Sequence, residues 1–233
     1  RIIMLFVGRK REKKQIFESL REGKNIIIGG KFGIGRTSLI REIAKILADE
    51  RKFVFVDFSK TPGEMSEKLM KELGLCARFK KTGTKMGYKS MRYRVANAKS
   101  LKKQNTVIVF DNIAKLTNQK TIFLRHLILE QHFQFIAIVE HFLPQKHFFE
   151  LKVQLIPTAT ITLRYLKMID VEDYLQTYSN QYHLNWQGDY IHDMVNLASG
   201  YPLRMTEILK KEREPRPLRI NLQLEKCQND RFE

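Results

Sequence analysis

Asn25-Ile-Ile-Ile-Gly-Gly-Lys-Phe-Gly-Ile-Gly-Arg-Thr-Ser-Leu-Ile-Arg-Glu-Ile-Ala44 spells a strand, a glycine-rich turn and a helix in succession. Ile26 to Ile28 is an apolar run with the length of a short buried strand. Gly29 to Gly35 supplies the backbone freedom of a tight turn, and Leu39, Ile40, Ile43 and Ala44 then fall on one helical face. This order is the setting of a phosphate-binding P-loop, where backbone N–H groups and a helix N-terminus meet an anion. The spacing agrees, since Gly30 is followed by four residues, then Gly35, a basic residue and Thr37. The residues expected around phosphate are Gly30, Lys31, Phe32, Gly33, Ile34, Gly35, Arg36, Thr37 and Ser38. The Thr37 hydroxyl is expected at Mg²⁺. One position departs from the pattern: Arg36 stands where a P-loop carries lysine.

Working outward, further strands are expected at Phe53–Phe58, Thr106–Asn112, Phe133–Val139 and Ala159–Leu166, each rich in β-forming residues. Helical patterns are expected at 10–22, 37–49, 64–73 and 117–131, and within 90–101. The alternation predicts an α/β fold, a three-layer P-loop NTPase core around a parallel sheet. The run Val107-Ile108-Val109-Phe110 ends in Asp111, which fits a carboxylate that helps hold Mg²⁺ at a strand's C-terminal end. Thr37 and Asp111 are therefore the expected metal pair. Asn112 fills the place where many such ATPases put a water-polarising glutamate, and an amide cannot take up a proton. Glu140, after the fourth strand, is read either as a displaced base or as an ordinary loop acid. Asp111, Glu140 and Asn112 are thus the candidate catalytic positions. From Lys167 the pattern is helical, at 171–178, 189–198 and 203–213, with Ser199-Gly200-Tyr201-Pro202 dividing the last two. The expected division is a nucleotide-binding core over 1–166 with a basic insertion at 77–104, a helical lid over 167–213 and an extended tail over 214–233.

The chain has 233 residues, enough to bury a substantial core. Its two cysteines, Cys76 and Cys227, lie far apart without metal-like spacing and are expected as free thiols in a reducing, intracellular setting. No apolar run approaches the roughly 18 residues of a membrane span. The balance of 42 Lys+Arg against 25 Asp+Glu, a formal charge of +17, favours a polyanionic partner, nucleic acid before an acidic membrane. The charge is clustered, because Leu73 to Phe110 contains no acidic residue. Lys80, Lys81, Lys85, Lys89, Arg92, Arg94, Lys99, Lys102 and Lys103 are the candidate DNA contacts, with Tyr88 and Tyr93 among them. Like charges in sequence repel, nothing in the stretch itself offsets them, and phosphate would. Such residues position a backbone and do not read bases.

Taken together, these pieces resemble the AAA+ and related STAND P-loop ATPases over roughly residues 5 to 212. The marks are Phe6-Val7-Gly8-Arg9-Lys10-Arg11-Glu12, the P-loop, the Asp111 strand and Gly200-Tyr201-Pro202-Leu203-Arg204. The first resembles the Gly-Arg-x-x-Glu box, which in that family closes over adenine, so the resemblance implies that Gly8 and Arg9 contact the nucleotide. The last resembles the sensor-2 segment and places Arg204 at the phosphates. The resemblance also implies ATP and Mg²⁺ as cofactors, a ring or filament of identical subunits, and an arginine acting in trans, for which Arg125 and Arg164 are candidates. Within that superfamily the chain looks most like TnsC/ExeA-like DNA-transposition regulators, since only 214–233 follows the lid. The resemblance then implies duplex DNA and a transposase or target selector as partners. A STAND-type signalling switch and an origin-initiator-like ATPase are the alternatives. Lys31 also resembles the early lysine of the deviant P-loop of ParA/MinD type, although the opening box and lid argue against that family. With Arg36 and Asn112 both altered, the expectation is a loop that holds ATP as an assembly signal and cleaves it slowly, unless Lys31 and Glu140 take over.

Overall fold

The computed structural model describes residues 7–78, 83–98 and 105–213. Five strands, β1 (Asn25–Gly30), β2 (Phe53–Asp57), β3 (Val107–Ile113), β4 (Gln134–Val139) and β5 (Thr158–Leu163), form one parallel sheet in the order β2-β3-β4-β1-β5. The helices are α1 (Lys10–Arg21), α2 (Arg36–Ile46), α3 (Pro62–Glu72), α4 (Tyr88–Ala96), α5 (Asn118–Leu129), α6 (Gln145–Gln154), α7 (Met168–Gln181), α8 (Gly188–Ala198) and α9 (Pro202–Arg213). The α/β class and the parallel sheet expected from the sequence are what the chain adopts.

Because successive side chains leave a strand on opposite faces, each apolar run feeds two cores. Ile26 and Ile28 join Val107, Val109, Ile136 and Ile138 against Ile16, Leu39 and Ile43 of α1 and α2. Ile27, Ile108, Phe110, Phe135 and Ala137 face the other way, onto Leu69, Val95, Phe123 and Leu151 of α3 to α6. Phe110 and Phe135 stack at 6.0 Å there, and Phe58 meets Phe110 edge-on at 5.4 Å. This burial on both faces explains why the strands read as continuous apolar runs. β1 lies between β4 and β5, with Ile28 opposite both Ile138 and Ile161. The chain leaves β1 for the far edge at β2, returns through β3 and β4, and then crosses to β5. The C-terminal end of β1 is thus a switch point where the connections part and leave a crevice.

Three local expectations change. α3 starts at Pro62, before the expected 64, with Thr61 as its cap. The Thr61 side chain accepts from the Glu64 N–H while the Glu64 carboxylate takes the Thr61 N–H, a reciprocal cap with proline at the first turn. α6 was not expected. Phe148, Leu151 and Leu155 mark a narrow inner face, but Phe149 and Val153 are exposed on the other side, so the apolar residues do not single out one helical face. In the basic stretch the helix is Tyr88–Ala96, starting before the expected Ser90, and residues 99–104 lie outside those described. The tail from 214 also lies outside them.

A third core joins α7, α8 and α9 through Val171, Leu175, Tyr178, Ile191, Val195 and Leu209. Its α8–α9 corner docks on the exit of β5, where the Leu166 N–H donates to the Gly200 carbonyl at 2.8 Å. A Cβ on Gly200 (φ +72°) would stand 2.3 Å from the Leu166 carbonyl oxygen, so the approach demands glycine.

Candidate functional site

The crevice at the end of β1 holds the glycine turn. Gly30, Gly33 and Gly35 have φ of +145°, +70° and +90°, values that side chains rarely adopt. Gly35 caps α2, so the first backbone N–H groups of that helix open onto the turn. This is an anion cradle built from backbone, and it does not depend on side-chain identity.

The Thr37 hydroxyl, in the first turn of α2, donates to the Asp111 carboxylate at 3.0 Å and 3.1 Å. β3, separated from β1 by β4 alone, delivers Asp111 from its C-terminal end. A hydroxyl and a carboxylate are hard oxygen donors, and the pair fits Mg²⁺, which takes few protein ligands and keeps waters and phosphate oxygens. Bound there, the ion would neutralise phosphate charge. Among the described residues there is no group of three or more His, Cys, Asp or Glu side chains placed to hold a metal.

Arg36 is nearly buried, and its guanidinium turns to the end of β4. It donates to the Val139 carbonyl and, at 2.7 Å, to the Glu140 carboxylate. The two side chains are 7% and 14% exposed, which makes this an internal ion pair. The sequence reading foresaw Arg36 and Glu140 separately; their pairing comes from β4 lying beside β1.

Asn112 is turned elsewhere. With φ +61°, it donates its amide to Asp57 Oδ1 at 3.1 Å across the β2–β3 edge, where Asp57 and Asp111 are register partners. Asp57 was not among the sequence candidates. Its burial raises the carboxyl pKa, but the Ser59 hydroxyl and N–H, the Asn112 amide and Lys60 outweigh that and hold it below the ordinary value. Lys120, from α5, donates to the Phe58 and Ser59 carbonyls and fixes the loop after Asp57. Burial lowers the Lys120 pKa, and the Asp57 charge opposes this. The sequence signal that could have found Asp57 is an acid at the end of β2, one strand from Asp111.

A second wall comes from the N-terminal box and the lid. Arg9 is buried, donates to the Ile34 carbonyl at 3.1 Å and pairs with Glu12 at 3.1 Å. Gly8 (φ +67°) passes so close to Asp170 of α7 that a Cβ would lie 2.9 Å from its carboxylate oxygen. Arg9, Ile34, Ser38, Tyr174, Met205 and Leu209 line a cavity of about 240 Å³ at the N-terminal end of α2. A flat apolar ring system attached to a phosphate chain fits this geometry. Tyr201 donates from its hydroxyl to the Phe32 carbonyl at 2.6 Å, and Gly33 packs under Leu203, so the lid rests directly on the glycine turn. Lys31 donates to the Tyr165 hydroxyl at 3.2 Å. Arg204 donates to the Leu197 carbonyl at 3.2 Å, at the α8–α9 corner. Arg125 on α5 and Arg164 after β5 are both exposed.

The basic stretch is only partly described: Lys80, Lys81, Lys99, Lys102 and Lys103 lie outside the described residues. Lys85 pairs with Glu67 of α3 at 2.7 Å, so one of these charges is offset by tertiary structure, contrary to the expectation of an uncompensated run. Arg78 donates to the Gly83 carbonyl and Arg94 to the Arg78 carbonyl, beside an isolated antiparallel backbone pairing of Arg78 with Lys85. Lys89 is exposed on α4, and Arg92 lies over the Tyr88 ring at 6.0 Å.

No family model and no curated protein matches this sequence. Solved structures do resemble it. The Aeropyrum pernix ORC1 protein in complex with DNA has a TM-score of 0.66 at 16% identity, over 91% of this chain and 62% of that one. The A. pernix ORC2 protein in its ADP form has a TM-score of 0.60 at 12% identity, over 86% and 60%. The Thermotoga maritima RuvB Holliday junction branch migration motor has a TM-score of 0.61 at 13% identity, over 89% and 62%. The chain spans about three fifths of the length of each. The likeness shows the fold, an α/β core around a five-stranded parallel sheet with helices after it.

Proposed function

We propose that this chain is an ATP-binding AAA+ regulator that assembles with copies of itself on duplex DNA, with nucleotide as the assembly signal and slow hydrolysis. The observation that carries this reading is the joint geometry of the crevice. A backbone anion cradle, the Thr37–Asp111 pair and an apolar cavity meet under a lid that rests on the cradle itself. A nucleotide placed there touches core and lid together, and so couples its own presence to the position of α7 to α9. Gly30 to Ser38 hold the phosphates, Gly8 and Arg9 stand at the base, and Thr37 and Asp111 hold Mg²⁺. Slow turnover follows from Arg36 being engaged by Glu140 and from Asn112 donating to Asp57, which leaves Asp111 without a free acid beside it.

For DNA, the support is the charge of +17 and the exposed cations of the β2–β3 connection. Lys89, Arg92 and Arg94, with Lys80, Lys81, Lys85, Lys99, Lys102 and Lys103, follow the phosphate backbone, and Arg125 or Arg164 completes a neighbour's site. The finer assignment is a transposition target-selection regulator, with a transposase or target selector as protein partner. An origin-initiator-like role is the second reading, favoured by the likeness to the ORC1 protein solved in complex with DNA.

The test is duplex binding across a salt series, with and without a non-hydrolysable ATP analogue, followed by imaging. The expected result is sequence-tolerant binding that weakens steeply with salt and strengthens with the analogue, together with rings or filaments. Binding that ignored nucleotide, or persisted unchanged at about half-molar salt, would overturn the reading.

A further inference from the structure

The cradle has two parts with different charge accounts. The backbone N–H groups of the glycine turn and the start of α2 serve the first two phosphates of a nucleotide, whereas the P-loop's basic side chain reaches from the second to the terminal one, which has no backbone cradle of its own. In this chain that side chain is committed. Arg36 gives one arm to the Val139 carbonyl and the other to Glu140 at 2.7 Å, inside a site where neither side chain is more than 14% exposed. Arginine suits this arrangement because its planar fork can donate to two acceptors at once, and a lysine ammonium could not hold both with the same geometry.

The pair is electrically neutral, so Arg36 brings no net positive charge to the third phosphate. If Arg36 swings to a terminal phosphate, it leaves a nearly buried carboxylate without a partner, which is strongly unfavourable. If it stays, the terminal phosphate lies one guanidinium away from the like charge of Glu140, in a medium that screens poorly. A diphosphate stops short of the terminal position and is held mainly by the backbone cradle, so it meets much less of either cost.

We infer that Glu140 determines nucleotide selectivity, setting the resting site to favour a nucleoside diphosphate over the triphosphate. This rests on the nucleotide-binding reading above and deepens it. Triphosphate-driven assembly then requires ATP in large excess, or a cation from a neighbouring copy that draws Glu140 away from Arg36.

The experiment measures the affinity of the full chain for ADP and for β,γ-imido-ATP by calorimetry, in wild type, Glu140→Gln and Glu140→Asp. Thermal melts confirm that each variant is folded. Wild type is expected to bind ADP at least about tenfold more tightly than the triphosphate analogue. Glu140→Gln keeps an acceptor for Arg36 and removes the charge. It should tighten the triphosphate about tenfold and move ADP by less than about twofold. Glu140→Asp keeps the charge and should keep the diphosphate preference. Equal or tighter triphosphate binding by wild type, or an unchanged ratio in Glu140→Gln, overturns the inference while leaving nucleotide binding intact. Failure of wild type to bind either nucleotide overturns the nucleotide reading, and this inference with it.

Discussion

Arg36 is unusual at its position, and its pairing with Glu140 explains it. Desolvating two charges is costly, so the pair adds little net stability, but removing one partner strands the other. Arg36→Ala should therefore cost about 3–5 kcal/mol in denaturant unfolding. The double variant Arg36→Ala/Glu140→Ala should cost less than Arg36→Ala alone. Additive losses would show that the two side chains do not depend on one another. Asp57 makes a second residue-scale prediction. Its carboxyl is held below the ordinary value on folding, so its contribution is fully present above the unfolded pKa and is lost as pH falls through the folded one. The stability gap between wild type and Asp57→Asn should accordingly narrow as pH is lowered from neutral to about 3, with equilibrium unfolding at each pH as the measurement.

At the scale of elements, the α8–α9 corner lies against the P-loop, its Tyr201 and Leu203 side chains resting on the bare backbone of Gly33. A Cβ on Gly33 (φ +70°) would stand 2.7 Å from Leu203 Cβ and 2.8 Å from the Tyr201 hydroxyl. Gly33→Ala should combine left-handed backbone strain with this overlap, a loss of about 2–4 kcal/mol, and should break the Tyr201–Phe32 hydrogen bond. Gly23 has the same sign of φ (+71°) and open space around its Cβ direction, so Gly23→Ala isolates the backbone cost, about 1–2 kcal/mol. Equal losses in the two variants would mean that the lid does not bear on the turn. The same contact links the turn to α7–α9, because any shift of the turn is felt directly by Tyr201 and Leu203.

Across the whole molecule the question is whether the excess positive charge is organised. Part of it is used internally, as the Lys85–Glu67 pair and the carbonyl contacts of Arg78 and Arg94 show. Lys89 remains exposed on the outer helix of the connection. Lys89→Ala should lower the slope of log affinity against log salt for duplex DNA by about one, the signature of one lost phosphate contact. Glu67→Gln should strengthen binding by releasing Lys85. An unchanged slope in the first variant and unchanged affinity in the second would place the DNA on another face. No helix of the described residues is long and apolar enough to cross a membrane.

By itself the sequence determined what is local or periodic. Apolar runs of strand length, a glycine turn before an amphipathic helix, and an acid closing the β3 run dictate a parallel α/β sheet with a cradle at one strand's end. These follow because backbone sterics and side-chain alternation act over a few residues. Helix α6 is not legible in the sequence because its exposed Phe149 and Val153 blur the inner face of Phe148, Leu151 and Leu155. Asp57, Lys120 and the Arg36–Glu140 pair depend on which strands become neighbours, and sheet order is settled by packing over long separations in the chain. Only the tertiary structure, by laying β4 against β1, turned the misplaced arginine of the P-loop into half of a buried ion pair.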